Sequence, residues 1–300
     1  KADDVPELVE NPVIKLGDLI ELGHNYQHRL LCGDSTSEDD VKRLMDGKKA
    51  DMVFTDPPYN VAIKGKFTGA IKNDDLSDED FEKLLNGVSE RIKEYNKGSL
   101  YVSYEIKNHT QFEQNFEKCG EVTEIIIWNK DSASFYNNDK YNRKFEAILF
   151  IQGNGQLSCK AETNVWDYAK SSSFNSRDEN GLQFNTKGSK LTIHPTVKPF
   201  KLVERALLNS SKIEDIILDT FGGSGSTLIA CEITARAGYL MELDEKYAQV
   251  IIQRYVDYTS NPIIKINGVS YDWHEYKEKN SVVWWYKETK TRWGYNKWLD

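Results

Sequence analysis

The chain has 300 residues, of which 39% are hydrophobic, and a formal net charge of −8 at pH 7. This length suits one large domain, or one domain with a modest insert, and the negative charge confines any nucleic-acid-binding surface to a local patch. No apolar run approaches the roughly eighteen residues of a membrane span, and no amino-terminal segment has the order of a signal peptide, which favours a cytoplasmic protein. The four cysteines are far apart in the chain and form no C-x-x-C pair, which argues against a zinc site and against a disulfide framework.

Apolar runs of strand length alternate with longer amphipathic stretches, a pattern that is typical of an α/β fold with a largely parallel sheet. The predicted strands are Arg29–Gly33, Met52–Thr55, Ser99–Ser103, Val122–Trp128, Phe145–Ile151, Asp215–Leu218 and Gly238–Leu243. The predicted helices are Glu38–Met45, Asp78–Tyr95, Lys107–Cys119, Lys198–Asn209, Ser226–Ala237 and Asp244–Tyr258. Two stretches interrupt the alternation: the polar residues 153–190, too long for a simple connection, and residues 265–300, which hold five of the seven tryptophans.

The tetrapeptide Asp56-Pro57-Pro58-Tyr59 follows a predicted strand, and open α/β sheets place their ligands at the carboxyl ends of strands. The prolines remove two backbone donors, so the Pro57 carbonyl and the Asp56 carboxylate can accept the two hydrogens of an exocyclic amine. A carboxylate there also stabilises the positive charge of an amine that is being alkylated, and Tyr59 offers a stacking face to a base that has left the duplex. The same residues also occur in ordinary strand-ending turns.

A second predicted strand leads through Asp219 into the loop Phe221-Gly222-Gly223-Ser224-Gly225 and a helix that begins at Ser226-Thr227. The glycines permit a tight turn and close approach of a ligand, and the helix amino terminus suits a carboxylate. Glu242 lies 17 residues after Gly225 (242 − 225), near the spacing at which an acid binds ribose hydroxyls. The loop has no P-loop lysine, and Leu228 replaces the third glycine of a dinucleotide fingerprint, so any nucleoside cofactor, or a simple glycine-rich turn, fits the pattern.

Both motifs, with three others, resemble those of the DNA amino-methyltransferases that use S-adenosylmethionine, in which D-P-P-Y is catalytic and F-x-G-x-G binds the cofactor. His194-Pro195-Thr196-Val197-Lys198-Pro199 resembles the family's H-P-T-x-K-P, which closes over the methionine end. Cys32-Gly33-Asp34-Ser35 resembles the motif beside the cofactor adenine, and the tract 239–247 resembles the segment of the ribose-binding acid. The resemblance covers residues 16 to 258.

The resemblance implies that Asp56, Pro57, Pro58 and Tyr59 are catalytic, and it implies no metal. The cofactor-binding residues that it implies are Asp34, Asp56, Thr196, Lys198, Asp219, Phe221, Gly222, Gly223, Ser224, Gly225, Ser226, Thr227 and Glu242. For Lys198 the residues themselves leave two interpretations, a contact to the cofactor carboxylate or a simple helix start, and the poor match of a cation to a helix amino terminus favours the contact.

The motif order is that of the family's circularly permuted β arrangement. It implies a Rossmann-like methyltransferase fold: a mostly parallel seven-stranded sheet with one antiparallel strand, Phe145–Ile151, and a small target-recognition insert. We expect a lead-in at residues 1–28, a catalytic half at 29–152, the insert at 153–190, a cofactor-binding half at 191–260 and an aromatic, basic tail at 261–300. The amino-terminal residues also look like phage-type members, which often carry a ParB-like domain upstream, and dimers are common in this arrangement.

The predicted function is methyl transfer from S-adenosylmethionine to the N6 amine of an adenine flipped out of double-stranded DNA, because Asp in the first motif position favours adenine in this family. An N4-cytosine methyltransferase is the main alternative. An NAD-dependent oxidoreductase would use the glycine loop and Glu242 but would leave Asp56–Tyr59 without a role, and a DNA-binding module without activity is the last alternative.

Basic residues outside the motifs are candidates for contacts to DNA. Those in the insert are Arg177, Lys187 and Lys190, those in the loop after Tyr59 are Lys64, Lys66 and Lys72, and those of a further patch are Lys130, Lys140, Arg143 and Lys144. The tryptophans of the tail are predicted to pack in a core or an interface rather than to stack on bases.

Overall fold

A mixed sheet of eleven strands forms the centre of the described part of the chain. The structure is a computed structural model that describes residues 2–61, 64–65, 69–70, 72–134, 141–153, 157–159, 161–169, 176–177, 183–184 and 197–281. The strands are β1 (Leu19–Leu22), β2 (His28–Cys32), β3 (Ala50–Thr55), β4 (Lys64–Gly65), β5 (Gly69–Ala70), β6 (Asn96–Tyr104), β7 (Val122–Ser134), β8 (Arg143–Ile151), β9 (Val165–Asp167), β10 (Ser176–Arg177), β11 (Gln183–Phe184), β12 (Ile216–Asp219), β13 (Ala237–Glu242), β14 (Ile263–Ile266) and β15 (Val269–Asp272). The α-helices are α1 (Glu38–Met45), α2 (Asp78–Tyr95), α3 (His109–Phe116), α4 (Phe200–Ser210), α5 (Ser226–Ile233) and α6 (Glu245–Thr259).

The large sheet has the strand order β15-β14-β1-β2-β13-β12-β3-β6-β8-β7-β9. Its central strands β2, β13, β12, β3 and β6 are parallel, whereas β8 is antiparallel to both of its neighbours, β6 and β7. Strands β1, β14 and β15 extend one edge in antiparallel pairs, and β9 extends the other edge. Because the central strands are parallel, the loops after β2, β3, β12 and β13 share one edge of the sheet.

The prediction of a seven-stranded, mostly parallel sheet is wrong, since the sheet is mixed and has eleven strands within the described residues. The seven predicted strands are present as β2, β3, β6, β7, β8, β12 and β13, and the strand predicted to be antiparallel is β8. The other four strands lie at the two edges. Two of them, β14 and β15, form a hairpin whose turn residues Asn267 and Gly268 both have positive φ, 52° and 81°.

Helices cover both faces of the sheet, because side chains of a buried strand alternate between its two faces. In β3, Val53 packs with α1, α2 and α3, whereas Met52 and Phe54 pack with α4 and α5. Helix α6 packs over the β2 and β13 side of the second face, against Leu30 and Leu240. No helix in the described ranges is both long enough and apolar enough to cross a membrane.

Candidate active site

The carboxyl ends of β3, β12 and β13 open into one cleft. Strand β12 lies between β3 and β13, and the hydroxyls of Thr55 and Thr220, which are 165 residues apart in the chain, lie 2.8 Å from one another. The predicted site residues that line the cleft are Asp56, Pro57, Pro58, Tyr59, Lys198, Asp219, Phe221, Gly222, Gly223, Ser224, Ser226, Thr227 and Glu242. The two distant motifs therefore meet in one place.

Three predicted cofactor residues are not placed at the cleft. Asp34 does not line it: its Oδ1 accepts hydrogen bonds from the backbone amide and the hydroxyl of Thr36, at 2.9 and 2.8 Å, so Asp34 shapes the turn between β2 and α1. Gly225 lies behind the cleft as the N-cap of α5. Thr196 lies outside the described residues, as does the preceding His194.

Asp56, Tyr59 and Lys198 form one hydrogen-bonded cluster at the end of β3. The Tyr59 hydroxyl donates to Asp56 Oδ1 at 2.5 Å, and Lys198 Nζ donates to Asp56 Oδ2 at 2.5 Å and to the Tyr59 hydroxyl at 3.1 Å. Lys198 precedes Pro199, and a residue before proline is disfavoured in helical backbone. For this reason α4 begins at Phe200 rather than at Lys198, and the lysine contacts the reaction motif.

Glu146 on β8 completes this cluster, and the sequence analysis did not identify it. Its Oε2 lies 3.3 Å from Lys198 Nζ, and Lys130 on β7 forms an ion pair with its Oε1. Lys130 is only 7% exposed, so its prediction as a DNA-backbone contact is wrong. An acid within the apolar run of β8 was the available signal, because a buried carboxylate requires a partner.

The charges of the cluster compensate one another in a buried environment. Burial acts to raise the pKa of Glu146, but the ammonium groups of Lys198 and Lys130 lower this pKa below its ordinary value. Burial acts to lower the pKa of Lys198, but Asp56 and Glu146 raise it overall. Burial and the same two carboxylates raise the pKa of Tyr59 well above its ordinary value, so the phenol keeps its proton and donates it to a hydrogen bond.

The glycine loop between β12 and α5 approaches its neighbours closely. A Cβ atom at Gly222 would lie 2.9 Å from the Ile251 side chain, and Gly225 has a φ of 84°, which disfavours other residues. No side chain caps the amino terminus of helix α5, which leaves the backbone amides of its first turn without a capping acceptor. The Ser226 hydroxyl donates to the Lys198 carbonyl at 2.7 Å and thereby connects the loop to the reaction cluster.

Asp219 is a buried acid beneath this loop. It accepts hydrogen bonds from the Thr227 hydroxyl at 2.6 Å and from the Phe221 amide at 3.1 Å. Burial raises the pKa of Asp219 to about 7, since these hydrogen bonds offset only part of the cost of burying the charge. Asp219 therefore holds both ends of the glycine loop from inside the sheet edge.

Glu242 at the end of β13 is the second buried acid of the cleft. Its two oxygens accept hydrogen bonds from the amides of Gly223 and Asp244, both at 2.8 Å. Burial raises the pKa of Glu242 to about 7. The carboxylate thus links the glycine loop to the start of α6, while the side chain still faces the cleft.

Other residues of the cleft were not predicted as site residues. They are Phe54, Lys72, Asn73, Asp74, Val203, Leu243, Asp244 and Tyr247. Lys72, which the sequence analysis considered for a DNA contact, donates to the Leu243 carbonyl at 3.3 Å. This hydrogen bond connects the segment 72–74 to the β13–α6 segment at the cleft.

Comparison with known proteins gives consistent matches. Residues 50–254 match the N6_N4_Mtase family model, described as DNA methylase. The chain is 25% identical over 264 residues to the DNA adenine methyltransferase YhdJ of Escherichia coli strain K12, which covers 77% of this chain and 83% of YhdJ. It is 25% identical over 261 residues to the Type II methyltransferase M.HpaI of Haemophilus parainfluenzae, which covers 75% of this chain and 73% of M.HpaI.

Solved structures show the same fold. The M1.HpyAVI–SAM complex has a TM-score of 0.54 at 21% identity and covers 75% of this chain and 97% of its own. The PvuII DNA methyltransferase (cytosine-N4-specific) has a TM-score of 0.56 at 15% identity and covers 84% of this chain and 90% of its own. The family match spans Asp56–Tyr59, the glycine loop and Glu242. The chain therefore belongs to the N6/N4 DNA methylase family, the S-adenosylmethionine-dependent DNA methyltransferases that its motifs resemble.

Proposed function

We propose that this chain transfers a methyl group from S-adenosylmethionine to the exocyclic N6 amine of adenine in double-stranded DNA. The observation that carries the proposal is the single cleft lined by both Asp56–Tyr59 and the glycine loop. A transfer reaction requires the group that holds the acceptor and the group that holds the donor within one site. An oxidoreductase would leave the cluster around Asp56 without a role.

The cleft fits a nucleoside cofactor that carries a carboxylate. Glu242 faces the cleft with both oxygens held by backbone amides, and each oxygen keeps a lone pair for a ribose hydroxyl. The uncapped first turn of α5 suits the carboxylate of the methionine part. When bound, S-adenosylmethionine supplies an electrophilic methyl group.

The residues at the end of β3 supply the amine-binding part of the reaction. The lone pair of an exocyclic amine is delocalised into the base, so the amine is a weak nucleophile. The Asp56 carboxylate and the Pro57 carbonyl accept its two hydrogens, which favours a pyramidal nitrogen with a free lone pair. Asp56 then stabilises the positive charge that develops on the nitrogen, and Tyr59, which lines the same cleft, stacks on the flipped base.

Adenine is the base that we favour, and cytosine is the alternative. Asp56 occupies the position at which the family resemblance favours adenine, and YhdJ is named an adenine methyltransferase. The fold is also similar, with a TM-score of 0.56, to an enzyme named as cytosine-N4-specific, and the amine-binding chemistry of Asp56 and Pro57 serves either base. A direct product analysis separates the two.

The experiment incubates the chain with tritiated S-adenosylmethionine and plasmid DNA that lacks methylated bases, followed by digestion and chromatography of the nucleosides. We expect label in N6-methyldeoxyadenosine. Label in N4-methyldeoxycytidine would replace adenine by cytosine as the substrate base. DNA that stays unlabelled while the cofactor binds would contradict the proposed activity.

A further inference from the structure

The Lys198 ammonium is hydrogen-bonded to the Asp56 carboxylate, which must accept the amine in the proposed reaction. Asp56 Oδ2 accepts from Lys198 Nζ at 2.5 Å, and Asp56 Oδ1 accepts from the Tyr59 hydroxyl at 2.5 Å. The side chain of Asp56 is 25% exposed, whereas that of Lys198 is 5% exposed. Both residues line the cleft, and Asp56 is the more accessible of the two to a bound ligand.

Glu146 offers the same ammonium a second acceptor. Its Oε2 lies 3.3 Å from Lys198 Nζ, within ion-pair range but farther than the 2.5 Å between Lys198 Nζ and Asp56 Oδ2. Lys130 holds the other oxygen, Oε1, and fixes the carboxylate so that Oε2 faces Lys198. Glu146 itself does not line the cleft.

Charge decides where Lys198 must be during methyl transfer. An ammonium at Asp56 neutralises the carboxylate and repels the positive charge that grows on the amine nitrogen. A buried ammonium that left Asp56 without a closer contact elsewhere would lose its shortest ion pair, which is strongly unfavourable. A short movement of the Lys198 ammonium toward Glu146 avoids both costs. The ammonium stays paired, and Asp56 becomes free to hold the amine.

We propose that Glu146 is a positioning residue that receives the Lys198 ammonium when the amine of the target base takes its place at Asp56. This inference rests on the proposed function. Glu146 contacts neither base nor cofactor: it acts through Lys198, and Lys130 keeps it oriented. No bond is made or broken in the exchange, and the two carboxylates and two ammonium groups keep their total charge.

The first test compares Glu146→Gln with Glu162→Gln in single-turnover methyl transfer. Glu162 is a matched control, since its side chain is 13% exposed against 14% for Glu146 and it is paired with Arg205 away from the cleft. We expect E146Q to slow transfer by at least about tenfold with the Kd for S-adenosylmethionine within about twofold of wild type. E162Q should transfer at the wild-type rate.

The second test places both changes in a Lys198→Met background. Because Glu146 acts through Lys198, we expect E146Q to change the rate of K198M by less than about twofold. An undiminished effect of E146Q in K198M would show that Glu146 acts independently of the lysine and would overturn the proposal. A wild-type rate for E146Q, or a loss of cofactor binding that accounts for its slow rate, would also overturn it.

Glu146→Asp keeps the inference testable if E146Q does not fold. It retains the charge but withdraws the oxygens by one methylene, so it should transfer at least about threefold more slowly than wild type and bind the cofactor normally. A wild-type rate for E146D would overturn the role of Glu146. Wild-type protein that labels no base amine would overturn the proposed function itself, and this inference with it.

Discussion

Asp56 is the carboxylate that holds the amine in the proposed chemistry. Its replacement by alanine removes the acceptor for the amine but leaves the glycine loop and Glu242 in place. We expect Asp56→Ala to lower the single-turnover rate by at least about 100-fold with the Kd for S-adenosylmethionine within about threefold of wild type. Asp257→Ala, on the exposed side of α6, is the control and should change neither value.

The Kd for S-adenosylmethionine separates a role of Asp56 in methyl transfer from a role in structure or in cofactor binding. A variant that loses cofactor binding together with transfer would indicate that Asp56 is a structural residue or a cofactor ligand. Thermal unfolding of the same variant tests whether Asp56 is a structural residue, because the variant loses the ion pair between Asp56 and Lys198.

Asp219 makes the stability of the protein depend on pH. Its pKa is raised to about 7 by burial, so between its ordinary pKa and about 7 the folded protein retains a proton that the unfolded chain has lost. The folded state then binds more protons, and the free energy of unfolding falls as the pH rises. The contribution is complete at pH values below the ordinary pKa of an aspartate and is lost as the pH passes through about 7.

Asp219→Asn removes this titration while it keeps groups that can bond Thr227 and Phe221. The difference between the free energies of unfolding at pH 5 and pH 8 should therefore shrink by about 1–3 kcal/mol, as measured by urea unfolding. Asp257→Asn should keep the wild-type difference. Equal pH dependence in D219N and wild type would show that Asp219 is ionised in the folded protein at pH 5.

Helix α6 supports the glycine loop through Arg254. This side chain is 1% exposed and donates to the Ser224 carbonyl at 2.9 Å, to the Ser226 hydroxyl at 3.2 Å and to the Ala2 carbonyl at 2.7 Å. Arg254 thereby holds the loop that precedes α5 against α6 and against the amino-terminal segment. We therefore expect Arg254 to influence cofactor binding through the position of the glycine loop.

Arg254→Met should raise the Kd for S-adenosylmethionine by about fivefold and lower the free energy of unfolding by about 2–4 kcal/mol. Arg236→Met is the matched control, because Arg236 is also buried and donates to the carbonyl of Ser211 without touching the loop. It should cost similar stability and leave the Kd unchanged. Equal changes of Kd in the two variants would mean that Arg254 contributes only stability.

The bounds of the helices were predictable where a side chain caps them. Helices α1 and α2 begin and end as predicted, since Ser37 and Ser77 accept hydrogen bonds from the amides of Asp40 and Asp80. Helix α3 is shorter than the predicted Lys107–Cys119, because it has no side-chain cap and short 3₁₀ turns flank it. Side-chain caps thus account for the starts of α1 and α2, whereas the carboxyl end of α5, at Ile233 instead of the predicted Ala237, has no comparable local signal.

The motifs of the site were predictable, but their partners were not. Asp56–Tyr59 and the glycine loop each consist of neighbouring residues with a recognisable pattern. Glu146 reaches Lys198 only because β8 lies beside β6, and no spacing in the chain indicates that contact. The contact of Lys198 with Asp56 likewise joins residues 142 positions apart, so no local pattern predicts it.

In the whole molecule the sheet is larger than the sequence predicts, because β1, β14 and β15 extend one edge and β9 extends the other. Strand β1 pairs with β14, a contact between opposite ends of the chain that no local pattern contains. The hairpin of β14 and β15 did carry a local signal, since Asn267-Gly268 is a favoured two-residue turn. The edge strands are short, and their pairing depends on the complete sheet.

Trp273 anchors this extended edge to the core. It is fully buried, and its ring nitrogen donates to Gln253 at 2.9 Å. Trp273→Ala should lower the free energy of unfolding by about 3–5 kcal/mol and leave the methyl-transfer rate of the folded protein unchanged. Tyr141→Ala, at a fully exposed ring, should have no effect on stability. A large loss of transfer in folded W273A would instead assign the edge a role in substrate binding.

The account as a whole depends on one cleft that serves both the amine and the cofactor. The most direct measurement is a crystal structure of the protein with S-adenosylmethionine bound. We expect the ribose at Glu242 and the transferable methyl group directed toward the carboxylate of Asp56. A cofactor bound elsewhere, or a methyl group directed away from Asp56, would contradict it.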